Sequence, residues 1–209
     1  MPSKFATADS TAEHAVGTRI RSAIDAIHHS LLNERNKHLL VSSSLNSVIR
    51  ATESRCGALA EVVTHNANNS VLRICSIINS NQALHPDPKF IDLFATAEVF
   101  GTRFLEGQNA IGDFCELKPL LPILTGSVQH DSPFLAVPFM SKHSLTGVVV
   151  LAGRKNGYPT DWQRSAATLF SSLHVALMHY QSLRQQFIEK RSLNRAQNLL
   201  LNTLRHEIR

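Results

Sequence analysis

The 209-residue chain has no apolar run approaching the ~20 residues of a bilayer-spanning helix, so no segment reads as a membrane crossing. Cysteine is scarce: Cys56, Cys75 and Cys115 are odd in number and far apart. They form no Cys-x-x-Cys pair and no Cys/His ligand spacing, which argues against a disulfide framework or a structural metal site. Free buried thiols in a reducing compartment are expected instead. No glycine-rich phosphate loop is present. No nucleophile–base pair or carboxylate pair stands at motif spacing, so nothing supports an enzyme within the domain itself. The eleven histidines include no ligand motif; on a helix, the adjacent His28 and His29 diverge by about 100°.

The net charge of +5 raises the question of nucleic acid. Much of the excess lies in Arg184, Lys190, Arg191, Arg195, Arg205 and Arg209. These residues are spread around a C-terminal helix and do not form one aromatic-flanked face, so no nucleic-acid partner is expected. The first residues, Met1, Pro2, Ser3 and Lys4, lead into a polar stretch and not an apolar signal core. With 43% hydrophobic residues, the expectation is a cytoplasmic globular domain with helical extensions and no membrane segment.

Residues 1–10 are small and polar and are expected to be disordered. Over 11–35, Val16, Ile20, Ile24, Ile27 and Leu31 recur at helical spacing. That helix is expected to lie against the C-terminal helix or against a second copy of itself. Asn33, Glu34, Arg35 and Asn36 break the pattern. A second helix follows to about Ser54, with Leu39, Leu40, Leu45, Val48 and Ile49 on one side. Residues 57–63 and 71–77 read as a hairpin around the turn formers of 65–69. Pro86 and Pro88 precede a short helix expected over 89–99. Glycines and prolines cut 101–132 into pieces, with short strands expected near 113–117 and 120–124. A loop-rich stretch of that length points to ligand binding.

The strongest strand signal is the pair 134–140 and 147–153, joined by 141–146. Pro138 within it marks an edge or a bulge. Thr160 caps a helix expected from Asp161 that meets no breaker before Arg209. Leu169, Leu173, Ala176, Tyr180, Leu183 and Phe187 step as a heptad seam, the pattern of paired helices. The seam loses phase at Glu189, Lys190 and Arg191 and resumes at Leu193, Ala196, Leu200 and Leu204. A homodimer through this helix is the expected assembly.

Phe134, Leu135, Ala136, Val137, Pro138 and Phe139, then Leu145, Thr146, Gly147, Val148, Val149, Val150 and Leu151, then Tyr158, Pro159, Thr160 and Asp161, together resemble a GAF domain over 36–183. The resemblance implies an α+β fold: a GAF-like antiparallel sheet flanked by helices, with long N- and C-terminal signalling helices. It also implies a pocket beside the sheet, walled by Phe114, Cys115, Phe134, Ala136 and Pro138, that takes an unknown small ligand; no cofactor is evident. Arg154, Lys155 and Asn156 replace the Asn-Lys of the cyclic-nucleotide signature. Cys115 is followed by Glu116, not by the histidine of the bilin signature.

The last residues, Leu204, Arg205, His206, Glu207, Ile208 and Arg209, resemble the H-box of dimerising sensor histidine kinases, which usually continues with Thr/Ser-Pro. The resemblance implies that 184–209 is a signalling helix leading into a dimerisation domain. His206 is then the phosphoacceptor, and Glu207 orients its ring or accepts its proton. ATP enters only through a kinase domain absent from these 209 residues, and a response regulator is the further partner. The function implied is sensory: a ligand or conformational signal passes along a dimeric helix to His206. The alternative is a stand-alone GAF-like binding or dimerising regulator without kinase activity.

Overall fold

The computed structural model describes residues 6–66, 69–79, 82–84, 90–92, 100–113, 132–159, 162 and 166–207. Helix α1 (Ala6–Asn33) and helix α2 (Lys37–Ala51) are separated by the polar break read from the sequence. Asn36 caps α2 by accepting from the His38 backbone N–H at 3.0 Å. Helix α1 begins at Ala6, earlier than Thr11, so the disorder expected over 1–10 gives way to helix from Ala6. Alanines at 6, 8, 12 and 15, with no breaker before Gly17, carry the helix toward the terminus.

Strands β1 (Cys56–Asn66) and β2 (Asn69–Asn79) form the first hairpin. Strands β3 (Gln82–Leu84) and β4 (Phe90–Asp92) both add to β2. Phe90, Ile91 and Asp92 therefore correct the start of the helix expected over 89–99, since pairing with Arg73, Leu72 and Val71 outweighs local propensity, and 93–99 lie outside the described residues. Helix α3 (Thr102–Leu105) is one turn long. Strand β5 (Ala110–Asp113) ends where the first short strand of the loop-rich region was expected to begin. The strand expected over 120–124, the helix cap Thr160 and its neighbour Asp161 lie outside the described residues.

Strands β6 (Pro133–Ser141) and β7 (Ser144–Ala152) form the second hairpin. Its turn is two residues, Lys142 and His143, at φ 47° and 67°. Positive φ at both positions is the type I′ geometry that suits strand twist. The sheet order is β3-β2-β1-β7-β6-β5, all antiparallel, with β4 also on β2. Strand β5 covers β6 only as far as Ala136, and the β6–β7 register shifts between Phe139 and Met140. Pro138 thus sits past the end of the β5 ladder, beside the bulge, where its missing N–H costs no ladder bond to β5.

Helix α4 (Ala167–Glu207) is 41 residues long, about 60 Å at 1.5 Å per residue. Helices α1, α2 and the first third of α4 form one layer over one face of the sheet. Ile20, Ile27, Leu45, Val48, Leu169, Leu173, Ala176 and Leu177 share a single core with Leu59, Leu135, Val137 and Val149. The part of the seam formed by Leu169, Leu173, Ala176 and Tyr180 is therefore consumed within the chain, by α1 and α2. Of the side expected to line α2, Leu39 is exposed. No helix among the described residues is long and apolar enough to cross a membrane.

Candidate functional site

Alternation along β6 sends Leu135, Val137 and Phe139 toward the helix layer and leaves Phe134 and Ala136 on the far face. Pro138 shares their parity and is buried. On that far face Phe134 and Ala136 meet Ala58, Ala60, Leu72, Ile74, Val148 and Val150. Phe100 packs there too, its ring centroid 4.7 Å from that of Phe104 and 5.7 Å from that of Phe134. These are the edge-tilted distances at which aromatic rings attract. The far face is thus an apolar floor with an aromatic lid. Its described side chains are apolar and closely packed, with Phe104 and Phe134 each 1% exposed. Of the five wall residues expected, Phe134, Ala136 and Pro138 share this strand and parity. Phe114 and Cys115 lie outside the described residues. No cluster of His, Cys, Asp and Glu suited to a metal ion occurs among the described residues. Burial pushes the thiols of Cys56 and Cys75 up to about 12, so both are inert as nucleophiles.

The polar chemistry lies on the opposite face, where α4 meets the sheet. His174 stacks on Phe139 at 4.9 Å and 8°. Its Nε2 lies 3.0 Å from Thr146 Oγ1, which donates to the Phe139 carbonyl at 2.9 Å. Because the hydroxyl donates its proton to Phe139, Nε2 carries a hydrogen and donates to Thr146 Oγ1. Gln181 donates to the Thr146 carbonyl at 3.4 Å. One turn on, Arg184 Nε approaches the buried carboxylate of Glu61 at 3.6 Å, and Arg73 bonds to the same oxygen. His206 and Glu207 lie at the end of α4, far along the helix from all of these.

Glu61 and Arg73 were not singled out in the sequence, and Arg184 was counted only among the basic residues of the C-terminal helix, although a signal existed for the first two. Glu61 and Arg73 are each the one charged residue in an apolar strand and are equidistant from the hairpin turn. The register pairs them directly, as opposite charges across a hairpin would suggest.

Burial lowers the pKa of His174, which gives a pH prediction. The unfolded imidazole takes up its proton near the ordinary ~6.5 and the folded one only at lower pH. Its stabilisation is therefore whole above ~6.5 and is lost as pH falls through the folded value. Thermal melts from pH 7.5 to 5 should show a falling midpoint, and His174→Gln should flatten that slope. Equal slopes in the two proteins would remove His174 as the cause.

No protein-family model matches the chain. No curated protein matches it either. Solved structures do. The A. aeolicus nlh2 GAF domain in an inactive state aligns at 13% identity and TM-score 0.52, over 81% of this chain and 99% of that one. A phycocyanobilin-bound GAF domain from a cyanobacterial phytochrome aligns at 10% identity and TM-score 0.56, over 76% and 93%. A methyl-accepting chemotaxis protein aligns at 11% identity and TM-score 0.55, over 77% and 98%. At such identities the likeness is one of architecture: the α+β arrangement, an antiparallel sheet flanked by helices with a long C-terminal helix, is the fold of GAF domains.

Proposed function

We propose that the chain is the sensory module of a two-component histidine kinase, which passes a signal from its GAF-fold domain along a paired α4 to the phosphoacceptor His206. The observation that carries this reading is the division of α4. Through Arg184 the helix is buried against its own domain; over 185–201 every described side chain is exposed, although the Phe187 ring still lies 4.9 Å from Lys37 Nζ of α2. Yet that exposed stretch is apolar at Phe187, Ile188, Leu193, Leu199, Leu200 and Leu201.

The apolar residues also change sides. At about 100° per residue, Leu169, Leu173, Ala176, Tyr180 and Phe187 occupy one sector, and all but Phe187 are buried. Leu193, Ala196 and Leu200 fall roughly opposite, in line with Val175 and Met178, which are exposed although they lie beside the domain. The phase change near Glu189 thus separates two seams. The inner one belongs to α1 and α2. The outer one, free along the helix, fits a second α4 in a homodimer. Pairing of that kind is what a phosphoacceptor helix needs, and a shift of the inner seam against the sheet would turn the outer one.

In this reading Glu207 orients the His206 ring. ATP arrives on a separate ATP-binding domain, and a response regulator takes the phosphate. The ligand, if the signal is chemical, is a small apolar or aromatic molecule on the floor of Phe134 and Ala136. The phycocyanobilin of one structural neighbour supports such a guest in this fold. The site is cytoplasmic. The test is phosphotransfer in trans: the chain is mixed with the ATP-binding domain of a histidine kinase and γ-labelled ATP. Acid-labile label should appear on His206 and vanish in His206→Gln. A dimer that takes no label, or label that survives in His206→Gln, would leave only the stand-alone regulator.

A further inference from the structure

Glu61 lies mid-strand in β1 and is 1% exposed. A lone carboxylate there would be costly, and two arginines answer it. Arg73, its cross-strand partner on β2, bonds to Oε1 through Nη2. Arg184 of α4 brings Nε to 3.6 Å from the same oxygen, which is an ion-pair distance but too long for a hydrogen bond. The bonding capacity is not used up. Glu61 Oε2 makes no hydrogen bond, and neither does Arg184 Nε. An ionised carboxylate accepts about four hydrogen bonds and a guanidinium donates five. One free acceptor and one free donor therefore sit on neighbouring groups of opposite charge. The two guanidiniums also oppose each other: burial lowers the pKa of Arg73 first, and the charge of Arg184 lowers it further.

The place of this cluster matters. Leu183 and Arg184 are the last described side chains of α4 that are not exposed, so the pair stands where the helix leaves the domain. On β1 the neighbours Ala60 and Val62 belong to the opposite, apolar face. The β1–β2 register shifts between Leu59 and Ala60, and a bulge of that kind loosens the ladder locally and re-aims side chains. A displacement of β1 from the far face thus reaches Glu61 through one backbone step.

The geometry points to Glu61 as a shared anchor for which Arg73 and Arg184 compete, so that the sheet sets how firmly α4 is held at its exit. With Arg73 on Oε1, as in this structure, Arg184 is loosely held. When the β1–β2 pair shifts and Arg73 withdraws, the carboxylate takes Arg184 with both oxygens and fixes the helix at that turn. A bidentate arginine–carboxylate bond has the strength and planarity for this. The device acts on the helix whether or not His206 accepts phosphate, so the two readings fail separately.

Hydrogen exchange of the full chain tests it through variants of opposite sign. Glu61→Gln removes the anchor and should speed exchange over 181–195 roughly three- to tenfold. Arg184→Gln should do the same, and the double variant should exceed neither single one, because both break the same ion pair. Arg73→Gln frees the carboxylate for Arg184 and should slow exchange over 181–195. Amides 40–49 of α2 should stay at their wild-type rates. An Arg73→Gln protein whose exit exchanges as fast as wild type or faster overturns the proposal. So does an effect of Glu61→Gln that is as large in α2 as in α4, since that is lost stability and not a released exit.

Discussion

Gly147→Ala should destabilise the domain by about 2–3 kcal/mol, the upper range for overpacking a filled core. For a chain of this size that lowers the melting midpoint by about 4–12 °C. Gly147 lies in β7 opposite Glu61 of β1 and Phe139 of β6, beneath α4. A Cβ built there falls well inside contact distance of Leu177 Cδ2 and 2.7 Å from the Ala60 carbonyl oxygen. The two obstacles differ in kind. Leu177 is a side-chain tip and can rotate, but it is fully buried and its new rotamer would disturb the α4 contact. The Ala60 carbonyl is backbone, and moving it means moving β1. The substitution should therefore part α4 from the sheet as well as lower stability. A double-mutant cycle separates these effects. Leu177→Ala alone should cost about 2–5 kcal/mol as a cavity, and with Gly147→Ala the cost should fall short of the sum, because the new methyl occupies vacated space. The rescue should be incomplete, since the carbonyl remains. Strict additivity would mean that Gly147 is not the close-approach point between α4 and the sheet.

That glycine shows where the sequence could be read and where it could not. Gly147 sits in the apolar run that carries the GAF resemblance, and the hairpin itself was legible as two apolar runs with a polar connection. What a lone glycine makes room for was not, because the answer lies on a helix thirty residues later. The turn of that hairpin was read too long, as 141–146 and not Lys142 and His143. Neither residue is a usual bearer of positive φ, and the signal for a type I′ turn was missing. The strand at Phe90 was hidden for a related reason: its partners Leu72 and Arg73 are distant in sequence, and pairing decided it. Phe134 and Ala136 were named as walls from the resemblance alone, since a run apolar at every position does not say which side chains share a face. The ionic cluster was half legible, as the cross-strand pair Glu61 and Arg73. Its third member, Arg184, was masked among the many basic residues of α4. The heptad seam was read correctly as a seam and misread as an intermolecular one through Tyr180, since a pattern of apolar residues does not say whose surface covers it.

The second large effect follows from that last distinction. In the full chain, Leu193→Lys with Leu200→Lys should convert a dimer into a monomer while leaving the melting midpoint of the domain nearly unchanged. Both leucines are about two-thirds exposed within one chain, at 64% and 65%, so the fold does not depend on them. In a parallel pair of α4 helices they occupy the outer seam, and four leucines leave the interface at once. At ~1.5 kcal/mol for each buried leucine the loss is on the order of 6 kcal/mol, about four orders of magnitude in Kd, before the repulsion of facing lysines is counted. Leu201→Lys is the control. It removes an equally apolar residue from the same stretch, about 100° round the helix from Leu200, in the sector that the inner seam would reach if prolonged. It should leave the dimer intact. Light scattering across a concentration series reads all three proteins. If Leu201→Lys dissociates the dimer and the double variant does not, the pairing face is the continuation of Leu169, Leu173 and Tyr180. The helix would then change neighbours on one face, from α1 and α2 to the second chain, with no change of side. If neither variant changes the mass of a dimer, the pairing lies outside the distal half of α4 altogether, and a shift at the Arg184 exit has no helix pair on which to act.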